Sequence, residues 1–204
     1  MHLGLPLDVE ALLLIECDGF DEGAVIRELE AAAAACRETG ASRVEVARDE
    51  AERARLWRAR RSVSPALARK APNKLGEDIT VPRSAIPEAV RRIKEVSARY
   101  GLPIVIFGHA GDGNLHPNIL FDRRSPDQWA KVEPMAREIF SLALELGGTL
   151  SGEHGVGTFK RPFMRRALGE VSIVAQWQIK RALDPLNILN PGKVLPEQSL
   201  DEGD

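Results

Sequence analysis

The stretch IVIFGHAGDGNLHPNILF, residues 104–121, carries two apolar runs joined by a short glycine-rich connection. Ile104 to Phe107 and Leu115 to Phe121 each have the length and apolar character of a strand. Parallel neighbours need a crossover of about a dozen residues or more, so a connection this short indicates an antiparallel hairpin. The predicted fold class is therefore α+β, with an antiparallel sheet flanked by helices.

Helices are predicted on both sides of this hairpin. Ser84 and Pro87 mark the start of one helix, and an apolar stripe with helical period continues until Gly101. A second helix, Gln128 to Leu146, ends at a glycine pair. The other elements predicted for this part of the chain are a turn-rich link over 72–77, a short strand over 78–81, and helical segments over 162–168 and 170–183.

The N-terminal part is predicted to alternate strands with helices. Ala11 to Cys17 is a short apolar run typical of a buried strand, and a helix over 20–40 follows it. Arg43 to Ala47 alternates apolar with charged side chains, as a half-buried strand does. The basic segment from Asp49 to Lys70 is predicted to be a helix that is interrupted near Pro65.

Composition limits the classes of protein that this chain can represent. With 204 residues and 44% hydrophobic content it can bury a core, and residues 1–204 are interpreted as one domain. A formal net charge of -2 argues against nucleic acid or an anionic membrane as the partner. No leader pattern is visible and no run reaches the roughly 18 apolar residues of a membrane span, so a soluble, cytoplasmic protein is expected. Cys17 and Cys36 lack CxxC spacing and are interpreted as reduced packing residues.

Three of the four histidines fall in two glycine-rich segments, GHAGDGNLH over 108–116 and SGEHGVG over 151–157. Imidazole and carboxylate together suit zinc, manganese or iron, and glycines let the backbone pass close to a ligand. The segments therefore predict a divalent metal site, with zinc preferred and with His109, His116 and Glu153 as ligands. His154 is then left to act as general base, because a neutral imidazole accepts a proton near neutral pH.

Tight turns with structural histidines are the alternative interpretation of these segments. For one segment alone, that interpretation is the more common one. Two segments that each place histidine beside glycine and a carboxylate favour a functional site instead. Asp112 and Asn114 are assigned to stabilising the first turn.

A basic segment of the predicted second helix contains Arg58, Arg60 and Arg61, which most simply solvate a helix face. The functional alternative is that one guanidinium binds a substrate carboxylate. The hydroxyl of Ser64 and the ammonium of Lys74 would assist it. Residue chemistry alone leaves open which arginine would do so.

Four segments resemble the C-terminal region of FAD-linked oxidases. They are ARRSVSPALARKAPNKLGEDITVPRS (59–84), GHAGDGNLHPN (108–118), SGEHGVG (151–157) and DPLNILNPGK (184–193). The family includes glycolate oxidase flavoprotein subunits, D-lactate dehydrogenases and D-2-hydroxyglutarate dehydrogenases. The resemblance covers about residues 8–196, and the first segment looks especially like the glycolate oxidase subunit.

The resemblance implies an FAD-dependent 2-hydroxy-acid dehydrogenase or oxidase of the glycolate or D-lactate class. Family members place two histidines and a glutamate on a divalent metal, which matches His109, His116 and Glu153. They use the next histidine, here His154, to remove the substrate proton.

The resemblance also implies which residues contact the substrate and the flavin. Arg60, Ser64 and Lys74 match the residues that hold the substrate carboxylate in the family. Asn118 matches a substrate-contacting asparagine, and Asn190 falls where the family's tail approaches the flavin.

Family members bind FAD mainly through an N-terminal domain, and its glycine-rich pyrophosphate-binding segment is not in this sequence. The expected partners are that flavin-binding domain, other oxidase subunits and a small 2-hydroxy-acid substrate. The chain is expected to begin within the family's ferredoxin-like cap domain, so that an early strand and helix are missing. An edge strand would then be exposed, and this would favour a homodimer.

Two other functions stay open on the sequence alone. Two histidines and a glutamate with an open coordination position also describe a zinc-dependent hydrolase, although no HExxH helix is present. The other is a non-catalytic metal-binding or subunit-docking module. Cleavage of an ester or amide without flavin would favour the hydrolase, and assembly that does not depend on metal would favour the module.

Overall fold

A computed structural model of the chain describes residue 6 and residues 8–197. The chain divides into two compact units, residues 1–66 and 67–204. In the described part, no helix has both the length and the apolar character needed to cross a bilayer.

The first unit holds helix α1 (Glu22–Glu38) and nearly all of helix α2 (Glu50–Leu67). Asp21 caps α1 by accepting a hydrogen bond from the N–H of Ala24 at 2.6 Å, and the predicted helix is confirmed. Helix α2 contains Pro65 and ends two residues later. Pro65 has no N–H to bond to the carbonyl oxygen of Arg61, so the helix ends close to the predicted interruption.

The two strands predicted in this unit, Ala11–Cys17 and Arg43–Ala47, are wrong. Apolar or alternating runs form strands only where a neighbouring strand accepts and donates the backbone hydrogen bonds. None of the described strands pairs with either segment. Leu12, Leu13 and Ile15 are accordingly exposed rather than buried in a sheet.

The second unit is built on an antiparallel sheet with β4 (Asn114–Phe121) at its centre. Strands β1 (Asn73–Gly76) and β2 (Ile79–Thr80) pair with successive parts of one edge of β4, and β3 (Ile104–His109) pairs with the other edge. The α+β class, the hairpin and the short strand before it along the chain are confirmed.

Strand β1 replaces the turn-rich link predicted over 72–77, and that prediction is wrong. Lys74 is the register partner of Leu120, and the N–H of Glu77 donates to the carbonyl oxygen of Pro117 at 3.2 Å. The partner strand lies far along the chain. Local turn signals therefore could not reveal this pairing.

Helices α3 (Ile86–Tyr100) and α4 (Pro126–Glu145) pack on each other and on the sheet. The predicted helices are confirmed, and α3 ends at Gly101, whose φ of 66° is left-handed. The apolar core joins the two helices to the sheet through Ile93, Val96, Met135, Ile139, Phe140, Ile79, Leu115 and Ile119.

Two further helices, α5 (Met164–Leu168) and α6 (Glu170–Leu183), confirm the last two predicted helical segments. The tail that follows is bonded back onto the unit. The N–H of Val194 donates to the carbonyl oxygen of Gly157 at 2.8 Å. The indole N–H of Trp177 donates to the carbonyl oxygen of Pro196, in the tail, at 2.9 Å. These bonds hold the tail next to the end of the second histidine segment.

Candidate metal and substrate site

The first histidine segment forms the turn between β3 and β4. Strand β3 ends at His109, whose register partner Asn114 begins β4. Gly113 has a φ of 75°, and a Cβ there would lie 2.0 Å from the carbonyl oxygen of Val81, so the turn requires glycine. The hairpin brings the rings of His109 and His116 into an edge-to-face contact with centroids 5.4 Å apart.

Side chains alternate between two environments along β4. Leu115 and Ile119 point into the apolar core, whereas Asn114, His116 and Asn118 share the opposite face. We call this opposite side the polar face of β4. The alternation explains how one strand supplies both the core and three polar groups.

The predicted substrate residue Lys74 lies on the same side of the sheet as the polar face, because its register partner is Leu120, two residues beyond Asn118. Asn118 is 2% exposed, and its Nδ2 donates to the carbonyl oxygen of His116 at 2.8 Å. The structure thus brings Lys74 and Asn118 onto the side of the sheet that carries His116.

The second histidine segment is held beside β2. Thr80 and Thr149 exchange two backbone hydrogen bonds, 3.1 and 2.8 Å long, just before the segment begins. A Cβ on Gly152 would lie 2.6 Å from Thr80 Oγ1 and 2.8 Å from Asn114 Nδ2, so glycine permits the close approach. Because β2 pairs with the start of β4, the two histidine segments meet.

Three potential metal ligands converge where the segments meet. His116 Nε2 is 2.9 Å and His109 Nε2 is 3.7 Å from Glu153 Oε1, and one ligand atom from each residue lies within 4.8 Å of the others. Two imidazoles and one carboxylate are a donor set found in catalytic zinc sites that keep an open position, with ligands about 2.1 Å from the ion. The chemistry and proximity of the three residues therefore fit a divalent ion.

The protonation of His116 also suits a metal ligand. Burial of this side chain lowers its pKa, and the nearby negative charge of Glu153 offsets the effect only in part. The imidazole is consequently neutral at physiological pH, and a neutral ring nitrogen can donate its lone pair.

His154 lies beside the three potential ligands. Its ring stacks on that of His116, with centroids 5.0 Å apart and an interplanar angle of 16°. Nε2 is 3.9 Å from Glu153 Oε1, and Nδ1 is 3.7 Å from Asp78 Oδ1. About half of the side chain is exposed, so a small molecule can reach the ring.

Two residues of the site carry little signal in the sequence. Asn114, assigned above to the turn, donates from Nδ2 to Glu153 Oε1 at 3.2 Å. Asp78 is buried beneath the second histidine segment. Burial by itself would raise the pKa of Asp78, but hydrogen bonds from the Glu153 N–H, from Lys160 and from the His154 N–H outweigh it and hold the pKa well below its ordinary value.

The remaining predicted site residues lie elsewhere along the chain. Arg60 and Ser64 are on helix α2 of the first unit, so their place at the site stays a prediction. Asn190 lies in the tail of the second unit with a φ of 49°, in the left-handed region that asparagine tolerates better than most residues. Its contact with a flavin likewise stays a prediction.

The family model of FAD linked oxidases, C-terminal domain, matches residues 1–194. The chain belongs to this family. It is similar to the glycolate oxidase subunit GlcD of Bacillus subtilis, with 46% identity over 97% of the chain and 42% of the relative. The corresponding subunit of Escherichia coli is 40% identical over 96% of the chain and 39% of the relative.

A D-lactate dehydrogenase of Archaeoglobus fulgidus is 36% identical over 91% of the chain and 39% of its own length. Among solved structures, 4-ethylphenol oxidase from Gulosibacter chungangensis aligns with a TM-score of 0.60 and 19% identity, over 87% of the chain and 38% of the oxidase. This likeness supports the fold assignment. The chain spans about two-fifths of the length of the curated relatives that it matches.

Proposed function

We propose that the chain is the metal- and substrate-binding part of an FAD-linked 2-hydroxy-acid dehydrogenase of the glycolate or D-lactate class. The observation that carries the proposal is the convergence of His109, His116 and Glu153, with His154 stacked beside them. The named activities of the relatives support the substrate class. Because the chain spans about two-fifths of those relatives, a flavin-binding domain outside it would complete the enzyme.

The two imidazoles and the Glu153 carboxylate would hold a divalent ion, with zinc as the first choice. When bound, the ion would polarise the substrate hydroxyl, and FAD would accept the hydride from the α-carbon. Asn114 keeps the carboxylate in place through its 3.2 Å hydrogen bond to Glu153 Oε1. The proposed ligands lie on the β3–β4 hairpin and on the second histidine segment, which the backbone hydrogen bonds of Thr149 join to β2.

His154 is the proposed base. Its Nδ1 lies 3.7 Å from Asp78 Oδ1, beyond hydrogen-bond distance, and the negative charge of that carboxylate favours the tautomer with the proton on Nδ1. Nε2, on the side of Glu153, is then the atom that accepts the proton of the substrate hydroxyl. A base next to the proposed metal ligands would remove the proton from a hydroxyl whose acidity a bound ion would increase.

The substrate carboxylate is assigned to the polar side of the sheet. Lys74 supplies a positive charge there, and Asn118 supplies an amide on the strand that carries His116. The corresponding roles of Arg60 and Ser64, and of Asn190 toward the flavin, are proposed from the resemblance to the family.

The test is the metal content of the purified chain after dialysis. Near-stoichiometric metal is expected in the wild type and in a His2→Ala control, which removes a histidine outside both segments. A variant that combines His109→Ala with His116→Ala should lose it. Metal that is retained by the double variant, or absent from the wild type, would contradict the proposed ligand set.

Two activity measurements separate the proposed function from a hydrolase. A metal-loaded chain that cleaved an activated ester without flavin would favour the zinc hydrolase. Oxidation of glycolate or D-lactate by the full-length flavoprotein, lost on chelation and restored by metal, is the outcome expected here.

A further inference from the structure

A buried ion pair that is not itself part of the proposed ligand set lies beneath the second histidine segment. Asp78 is 0% and Lys160 is 1% exposed, and Lys160 Nζ lies 2.6 Å from Asp78 Oδ1. The same ammonium donates to the carbonyl oxygen of Asp78 at 2.8 Å and lies 3.3 Å from Glu77 Oε2. Buried charges are uncommon unless they are paired, so the function of this pair calls for a physical explanation.

The carboxylate of Asp78 accepts hydrogen bonds from successive backbone N–H groups of the second histidine segment. Its Oδ2 accepts the N–H groups of Gly152 at 2.7 Å, Glu153 at 2.8 Å and His154 at 3.1 Å. The hydroxyl of Ser151 also donates to it, at 2.9 Å to Oδ2 and 3.0 Å to Oδ1. One side chain thus fixes the backbone of the residue proposed as metal ligand and of the residue proposed as base.

We propose that Asp78 is a positioning residue, which sets the orientation of Glu153 and His154 without touching metal or substrate. This inference rests on the proposed function. Consecutive N–H groups that point to one oxygen hold the backbone in one conformation, so the two side chains leave it in fixed directions. Glu153 reaches His116 at 2.9 Å, and the ring of His154 stacks on the same histidine.

Lys160 has the supporting role in this arrangement. Desolvating a carboxylate costs more than hydrogen bonds alone usually offset, and a paired ammonium supplies the opposite charge. Replacing both members of a buried ion pair by uncharged groups is often neutral for stability. A role limited to stability is therefore separable by experiment from a role in positioning.

The matched control is another aspartate with the same local chemistry. Asp184 is 6% exposed, pairs with Lys180, and accepts the backbone N–H groups of Ile188 at 3.1 Å and Leu189 at 3.0 Å. It holds the tail rather than the second histidine segment. Asp184→Asn therefore perturbs a buried capping carboxylate without changing the backbone of Glu153.

The experiment measures Zn²⁺ affinity by competition with a chromophoric chelator. Asp78→Asn is expected to weaken Zn²⁺ binding by about 10–100-fold, as loss of an orienting partner of a metal ligand typically does. Asp184→Asn should leave the affinity unchanged. Equal affinities for Asp78→Asn and the wild type, both folded by circular dichroism, would overturn the proposal.

A double variant separates positioning from stability. Asp78→Asn combined with Lys160→Met removes both charges and should recover the thermal stability that Asp78→Asn alone loses. Zn²⁺ affinity should stay below that of the wild type in the double variant, because the neutral amide oxygen of asparagine accepts the three N–H groups more weakly than the carboxylate does. Wild-type affinity in the double variant would assign the pair to stability alone and overturn the proposal.

A spectroscopic measurement tests Asp78 even if the proposed function fails. Should the wild type bind no Zn²⁺, the amide proton shifts and exchange rates of residues 152–154 still report the hydrogen bonds to Asp78. In Asp78→Asn these amides should shift upfield and exchange faster, while those of Ile188 and Leu189 should not change. Amides of 152–154 that are unaffected would overturn the positioning role.

Discussion

Replacing Lys160 by methionine should lower the free energy of unfolding of the second unit by about 3 kcal/mol. The lysine is 1% exposed, and its Nζ donates to the carboxylate and to the carbonyl oxygen of Asp78 at 2.6 and 2.8 Å. Methionine is of similar length, so the main change is a buried carboxylate without its counter-charge, which typically costs about 3–5 kcal/mol. The lower end applies because Ser151 and three backbone N–H groups still donate to Asp78.

Urea unfolding at pH 7 measures this change in unfolding free energy, provided that the fluorescence signal comes from the second unit. A Trp57→Phe background leaves Trp129 and Trp177, which both lie in that unit, as the fluorescent reporters. The control variant is Lys131→Met, which removes a lysine whose side chain is 40% exposed and lies 2.8 Å from Asp127, and it should change stability little. Equal losses in the two lysine variants would refute the argument that burial sets the magnitude.

Three further predictions address the same unit. Because the folded pKa of Asp78 is depressed, its full contribution to stability is present above its unfolded pKa of about 3.9 and is lost progressively as the pH falls from there toward the folded value. The difference in unfolding free energy between wild type and Asp78→Asn should therefore narrow from pH 7 to pH 2.5 in urea titrations, and a constant difference would contradict this. Gly152→Ala would place a Cβ 2.6 Å from Thr80 Oγ1 and should reduce Zn²⁺ binding. The control Gly111→Ala, whose Cβ would have no atom within 4 Å, should leave binding unchanged. Similar Zn²⁺ affinities of the two variants would argue against close packing of the second histidine segment. In the full-length flavoprotein, His154→Ala should lower kcat for the 2-hydroxy acid by about 10²–10⁴-fold at unchanged metal content, and near-normal turnover would remove the base assignment.

Elements with a local signal could be predicted from the sequence. Helix α3 has an apolar stripe with helical period and a glycine at its end, and both features lie within one segment. The β3–β4 hairpin follows from two apolar runs and a connection too short for a crossover. Such elements need no knowledge of distant partners.

Elements that depend on distant pairing could not be predicted. Strand β1 exists because residues 73–76 pair with residues 118–121, although its own sequence contains turn signals. The opposite error occurs at Ala11–Cys17, which has strand composition but no strand partner among the described residues. In both cases tertiary hydrogen bonding overrides local preference.

The candidate site divides in the same way. His109, His116, Glu153 and His154 could be singled out because imidazole and carboxylate in glycine-rich segments have a chemical meaning before any fold is known. Asp78 could not be, because its contribution is to accept backbone N–H groups from a loop more than 70 positions away. A backbone donor has no signature in the side-chain sequence.

Strand β2 and the residue before it, Asp78, join the site to the core within three consecutive residues. Ile79 is fully buried among the apolar side chains, while its neighbours Asp78 and Thr80 hold the loop that carries Glu153. Heating that disrupts the packing around Ile79 would therefore also disrupt the second histidine segment, at the same temperature. Release of an ion held at the proposed site and unfolding of the core would then occur as one event. If the proposed function is right, protein that is inactivated by warming would not be rescued by added metal until it had refolded.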